Sequence, residues 1–493
     1  MSLAVRAVRS LALMLGSSLF FKGVGVVANI LIVNSVSADE YGEANAAWIL
    51  MLTASLFSSI GIGQYVMVRS RDRPDLAFHA TVYQFLLGIA AVGVVTLLRD
   101  PLGRWVGAPT LGRFLPGFVV AMLVERIYYV PERVLMRDLR FARAAMARAV
   151  AEVTYSVVAL IAARAGWGGM ALVAGAIVRS IVRAAIVIPA VARREPLAPT
   201  PLRREATLDL ARFGLPLAIG AFSTFALGNW DNLLVSRFFG AAVMASYAVA
   251  YNISGIAAGA VLEQLIDVFV PTLARVEVER RSEMFLRTLR LTAAIAMPIY
   301  LGTAVVAPTA VAALLRPRWA DVGPMLTMLA AGFSGLPLIF LGCAFLEVTN
   351  RPRNVMQVQL VGATVILGGI ALVGRYHPLI ACGAVDFGVL CGATTVLIMV
   401  RRLENISTLR VLATQARPAL ACVPMLAGVL IVRSLVARAG IDHRWTRLLA
   451  EVAIGGVAYL VGLLVFARPV VDEIVGLARR ALERRIARAA KRV

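Results

Sequence analysis

The chain is poor in charge and in cysteine. Only 16% of its 493 residues are charged, against about 25% in a soluble globular domain. The four cysteines, Cys343, Cys382, Cys391 and Cys422, all fall inside apolar segments, with no CxxC pair and no Cys/His cluster. They read as small core hydrophobes, which argues against a disulfide scaffold and against a zinc site. The three histidines, His79, His377 and His443, are too scattered to ligate a metal. There is no GxxxxGK[ST] loop, no HExxH and no GxSxG, so neither an ATP site nor a hydrolase constellation is expected. No cofactor is expected either. The longest connection between apolar runs, near 191–207, is too short for a catalytic domain. These absences point away from an enzyme.

Apolar residues are what the chain has in excess. They make up 60% of the sequence, and the mean hydropathy is +0.82. Continuous apolar runs recur at lengths near the ~20 residues that a membrane helix needs. Barrel strands would alternate instead. The expected fold class is therefore an all-α integral membrane protein of about fourteen transmembrane helices. The spans are expected at 11–34, 42–68, 76–98, 114–135, 143–163, 168–190, 208–236, 244–271, 287–315, 322–347, 354–374, 379–400, 418–437 and 445–467.

Charge sets the orientation. Fifty basic residues face 28 acidic ones, for a net charge of +22, and lysine stands only at Lys22 and Lys491. The arginines lie mainly between apolar spans, which fits membrane topology better than a nucleic-acid partner. The richer alternate connections carry Arg69, Arg71 and Arg73, then Arg137, Arg140 and Arg143, then Arg193, Arg194, Arg203 and Arg204. The positive-inside rule places these, and both termini, in the cytoplasm. The tail 469–493 repeats arginine among Ile, Ala and Leu at helical spacing. It is expected either to lie on anionic lipids as an amphipathic helix or to be a solvated helical tail. Val36-Ser37-Ala38 has the form of a signal-peptide cleavage site, but the apolar stretch before it is too long and Lys22 interrupts it, so the segment is expected to be retained.

A shift of about 203 residues aligns the first span with the seventh, with Asn29 on Asn232 and Leu31 on Leu234. The expected domains are a six-helix lobe at 1–190, a cytoplasmic linker at 191–207, and a second six-helix lobe at 208–400. Accessory helices follow at 401–468, and a basic tail at 469–493. Two copies with an even number of helices are related by a pseudo-twofold along the membrane normal.

Four stretches carry a family resemblance. They are Ser37-Ala38-Asp39-Glu40-Tyr41-Gly42; Pro131-Glu132-Arg133-Val134-Leu135-Met136-Arg137-Asp138-Leu139-Arg140-Phe141; Arg212-Phe213-Gly214-Leu215-Pro216 with Gly240 and Tyr247; and Glu347-Val348-Thr349-Asn350-Arg351-Pro352. In the last, Asn350 replaces the usual glycine of the turn. The chain resembles the Wzx-type polysaccharide flippases, in the colanic-acid and succinoglycan exporter branch of the multidrug/oligosaccharidyl-lipid/polysaccharide exporter superfamily. The resemblance covers about residues 10–400. It implies an inner-membrane flippase that moves undecaprenyl-pyrophosphate-linked oligosaccharide repeat units by alternating access. It also implies a polysaccharide polymerase and a chain-length regulator as partners. Rival expectations are a cation-coupled drug antiporter of the same superfamily, or a membrane-embedded polymerase or ligase.

An ionisable side chain inside a span costs at least ~2.5–3.5 kcal/mol, which makes each one a candidate for function. Lys22, Arg126, Arg148, Arg179 and Arg183 fall in the first half; Asp231, Glu263, Asp267, Glu347 and Asp386 fall in the second. Guanidinium groups match phosphate oxygens in a bidentate fork and stay charged when buried. Lys22, Asn29, Arg126, Arg179, Arg183 and Asn232 are therefore the expected substrate-binding residues. Asp231, Glu263 and Asp267 are the candidates for cation or proton coupling. The alternative is structural: local pairing with Glu125 or Glu152, snorkelling of Arg148 or Arg183, and hydrogen bonding between helices for the two asparagines.

Overall fold

A computed structural model describes residues 25–473 and 476, apart from 60, 71–72, 74, 192–195, 197, 274–275 and 441–442. Inside the helices, the side chains of 216–221, 223–224, 227, 256–258, 260–261, 263–264, 267–268 and 271 are also outside it. Among the described residues there are helices and no strands. Among the described residues, each expected span overlaps helix. The first is α1 (Gly25–Ser35). It is followed by α2 (Ala38–Ser59), α3 (Ile62–Arg69), α4 (Asp75–Leu97), α5 (Arg99–Val106), α6 (Leu115–Arg137), α7 (Phe141–Arg164) and α8 (Met170–Ala190). Next come α9 (Arg204–Phe239), α10 (Ala241–Leu273), α11 (Val278–Leu314), α12 (Val322–Gly332) and α13 (Leu336–Val348). The last are α14 (Pro352–Leu372), α15 (Pro378–Glu404), α16 (Thr408–Arg438) and α17 (Arg444–Phe466).

Among the described residues, ten helical segments are long and apolar enough to cross a membrane. The other expected spans correspond to α1, α6, α9 and α10. Large apolar side chains such as Leu97, Ile161, Phe387 and Val465 are exposed on the helices. A water-facing surface would not carry so many, so the chain is a multi-pass membrane protein. The expected span at 322–347 is interrupted: the 3₁₀ turn Phe333–Gly335 separates α12 from α13, where Ser334, Gly335 and Pro337 weaken the α-helical ladder. The four cysteines form no disulfide with one another, and Cys382 and Cys422 are buried.

The chain divides into two compact units. One comprises Met1–Val249 and Ile366–Ala381; the other comprises Ala250–Val365 and Cys382–Val493. In the first, α7 and α6 both pack against α8. Small residues let the backbones approach, as membrane helices require. A Cβ at Gly175 would stand 2.8 Å from the Tyr155 ring, and one at Gly42 would collide with the Ala241 carbonyl. The first turn of α9 is fixed to α3 and α4. Tyr65 donates to Asp209 at 3.0 Å, the Tyr83 and Thr207 hydroxyls lie 2.6 Å apart, and the Arg203 amide donates to His79 Nε2 at 2.9 Å.

In the second unit α11 packs against α12, α16 and α17. Pro298 and Pro308 lie inside α11 and each removes one rung of its ladder. Arg433 of α16 donates to the Val305 carbonyl at 2.5 Å and, through two nitrogens, to Glu451 of α17 at 3.0 and 2.9 Å. The Thr309 hydroxyl donates to the same carboxylate at 2.8 Å. The accessory helices are thus fixed to α11 by a buried polar cluster as well as by the apolar contacts of Met297, Cys422, Met425 and Leu463.

Candidate functional site

The membrane arginines of the first unit have three different environments. Arg126 of α6 is fully buried. Its guanidinium donates to Ser58 Oγ at 2.6 Å and to Ser55 Oγ, and it lies 3.4 Å from Glu125. Gln84, with its amide oxygen turned toward the guanidinium, accepts from it at 2.5 Å and donates to the Ser58 carbonyl at 3.1 Å. Gly88 makes room for the stem: a Cβ there would stand 2.7 Å from Arg126 Cδ. Hydroxyls and an amide thus take up most of its donor edge.

Arg183 of α8 forms both its bonds with one carboxylate, to Glu132 Oε1 at 2.9 Å and Oε2 at 2.7 Å. Arg148 reaches the same Glu132 at 2.7 Å. Glu132 is itself buried, so this is a closed triad of one acid and two bases. The i, i+4 pairing of Arg148 with Glu152 that the sequence suggests is replaced by this contact between helices.

Arg179, one turn before Arg183 on α8, is set differently. Its guanidinium carbon lies 4.9 Å from the Trp48 ring centre and 5.2 Å from that of Tyr155. Its ion-pair partner among the described residues is Glu152 of α7, at a long 3.5 Å, and that carboxylate side chain is 57% exposed. Aromatic contact holds the plane of a guanidinium without using its N–H groups. The donor edge of Arg179 is therefore far less committed than those of Arg126 and Arg183.

Arg179 lines a cavity of about 260 Å³. Asn29 and Ile32 of α1, Asn45 and Trp48 of α2, Phe118 of α6, Glu152, Tyr155 and Ser156 of α7, and Leu172 and Ala176 of α8 also line it. Asn29 is held by the Tyr41 hydroxyl, which donates to Oδ1 at 3.3 Å. Ligand pockets run from about 300 Å³ upward, so the space suits a headgroup and not a whole oligosaccharide. It is lined by one guanidinium, one carboxylate, two carboxamides, three hydroxyls and aromatic faces. Such groups can bind a polar, anionic group.

Of the expected substrate residues, the structure brings Asn29 and Arg179 to one cavity. Arg126 and Arg183 point into their own clusters. Asn232 is buried beside Asp231, donating to it at 3.1 Å, while the Tyr247 hydroxyl donates to the other Asp231 oxygen at 2.7 Å. Lys22 lies outside the described residues, as do the side chains of Glu263 and Asp267 and most of the 469–493 tail. Among the described residues no group of three His, Cys, Asp or Glu could hold a metal. Sequence reasoning missed Trp48, Tyr155 and the role of Glu152. The available signal was spacing: Tyr41, Asn45 and Trp48, and Glu152, Tyr155 and Ser156, each recur on one helical face.

Residues 35–324 match the sequence profile of a family described as "Polysaccharide biosynthesis protein". The chain is 24% identical over 476 residues to the succinoglycan biosynthesis transport protein ExoT of Rhizobium meliloti, covering 93% of this chain and 92% of the relative. It is 21% identical over 311 residues to the lipopolysaccharide biosynthesis protein WzxC of Escherichia coli, covering 62% and 63% of the two chains. The fold is similar to that of the lipid II flippase MurJ, solved in an inward closed conformation, with a TM-score of 0.71 and 12% identity, over 93% of this chain and 100% of that one.

Proposed function

The chain belongs to the polysaccharide biosynthesis protein family, and on that premise we propose that it flips lipid-linked oligosaccharide repeat units across the bacterial inner membrane. The substrate class is an undecaprenyl-pyrophosphate-linked repeat unit destined for exopolysaccharide, O-antigen or capsule. The observation that carries this reading is Arg179, a cation held by aromatic contacts with its donor edge open to a cavity among membrane-spanning helices. A diphosphate cannot enter hydrocarbon bare, and a pre-oriented guanidinium replaces part of its hydration in bidentate geometry.

Asn29 offers a carboxamide beside that position, and Lys22 a second positive charge. Arg126 and Arg183 support the same bundle through Ser55, Ser58 and Glu132. Asn232 and Asp231 brace the corresponding region of the second repeat, with Asp231, Glu263 and Asp267 as the acids for cation or proton coupling. The cycle is alternating access of two lobes, and no covalent bond is made or broken. Both termini are cytoplasmic, the basic tail rests on anionic lipids, and a polymerase and chain-length regulator take up the product.

Deletion of the gene tests the reading. It is expected to abolish surface polymer and to leave lipid-linked repeat units on the cytoplasmic leaflet, with glycosyl-bond formation in isolated membranes intact. Glu152 among aromatic rings favours one second reading, capture of a cationic drug. Increased drug sensitivity of the deletion strain with normal polymer export would establish that alternative.

A further inference from the structure

Glu152 is too exposed and too loosely held to be a structural counter-ion. The same unit shows what a structural pair looks like: Glu132 is 4% exposed and meets two guanidiniums at 2.7 Å. The Glu152 side chain is 57% exposed and meets Arg179 no closer than 3.5 Å. Both residues line the cavity. The carboxylate therefore occupies a small part of the donor edge that an entering oxyanion needs, beside the open space of the cavity.

We infer that Glu152 is a placeholder: it occupies the Arg179 guanidinium when the cavity is empty, yields it to the diphosphate of the lipid-linked substrate, and reclaims it on release. The inference rests on the flippase reading and adds a residue that sets affinity. A transporter must bind its cargo weakly enough to let it go, and an internal anion does this by competing for the same donors. A bare guanidinium in the same setting would hold a diphosphate longer and lower turnover. The aromatic contacts keep Arg179 in place while its partners exchange, so the guanidinium itself need not move.

The test is calorimetric titration of the full-length protein in detergent micelles with farnesyl diphosphate. Three proteins are compared, wild type, Glu152→Gln and Arg179→Gln, each first checked for a monodisperse elution profile and a wild-type thermal transition. Glu152→Gln is expected to bind roughly three- to tenfold more tightly, the gain from removing one exposed ionic competitor and its charge. It is also expected to export less polymer in cells. Arg179→Gln is expected to lose most of the binding. If Glu152→Gln binds no more tightly while Arg179→Gln loses binding, the placeholder is refuted and the anion site stands. If Arg179→Gln binds as tightly as wild type, the flippase reading of this cavity fails as well. An acid-preserving variant, Glu152→Asp, should fall between wild type and Glu152→Gln; binding tighter than Glu152→Gln would also overturn the inference.

Discussion

Truncating either member of the Arg433–Glu451 pair should destabilise the second unit, and by unequal amounts. Glu451 is 1% exposed and accepts two bonds from Arg433 and one from Thr309. Arg433→Ala leaves that carboxylate buried with only the Thr309 hydroxyl. Breaking a buried pair in this way costs about 3–5 kcal/mol, and the upper part of the range applies. Glu451→Ala leaves a guanidinium that is one-third exposed and still bonded to the Val305 carbonyl, so about 2–3 kcal/mol is expected. The double variant Arg433→Met/Glu451→Leu removes both charges and fills the space. It should recover to within about 1 kcal/mol of wild type, because the desolvation of two ions is no longer borne. The assay is a double-mutant cycle read from unfolding of the purified protein in mixed micelles. Equal losses for the two single variants, or a double variant worse than their sum, would show that the burial of Glu451 does not set the cost.

Three further outcomes follow from the same contacts. Arg183→Ala removes one of two bases on the buried Glu132 and should lower thermal stability more than Arg179→Ala does, as measured by fluorescence-detected size exclusion after heating. Gly42→Ala should cost stability in the same measurement, because its Cβ collides with the Ala241 carbonyl, which is backbone and cannot turn aside. Burial raises the Glu473 carboxyl, but hydrogen bonds and charge from Arg287 and Arg290 outweigh this and hold it below its ordinary value of 4.5. The stability it contributes is therefore full above that value and is lost as pH falls through the lowered one. An acid titration of stability should show this step in wild type and not in Glu473→Gln.

The helices were legible because lipid imposes a simple rule: each crossing must be apolar for about twenty residues and bond its own backbone. That rule located even α6, whose Glu125, Arg126, Glu132 and Arg133 make it the most charged of the spans. It could not locate the break at Phe333–Gly335, because one 3₁₀ turn hardly alters hydropathy. The intramembrane arginines were equally plain as candidates, yet their sequence contexts do not distinguish them. Arg179 and Arg183 sit one turn apart on one helix. What separates them is whether Glu132 or Glu152 comes to meet them from α6 and α7, and that depends on packing between helices. The aromatic contacts of Arg179 were hidden for the same reason, since Trp48 and Tyr155 look like ordinary apolar positions until α2, α7 and α8 converge.

On the proposed function, the Arg179 cavity handles the diphosphate while the lipid-linked saccharide crosses. The most direct measurement uses the purified protein in liposomes loaded with a fluorescent lipid-diphosphate oligosaccharide, with leaflet exchange followed by quenching from outside. Wild-type protein should make the inner pool accessible. Arg179→Ala should slow exchange about 10–100-fold, the loss expected for one charge-assisted bond worth about 1.5–3 kcal/mol, while Arg183→Ala that remains folded should retain most of its rate. Exchange by Arg179→Ala at the wild-type rate would contradict the account.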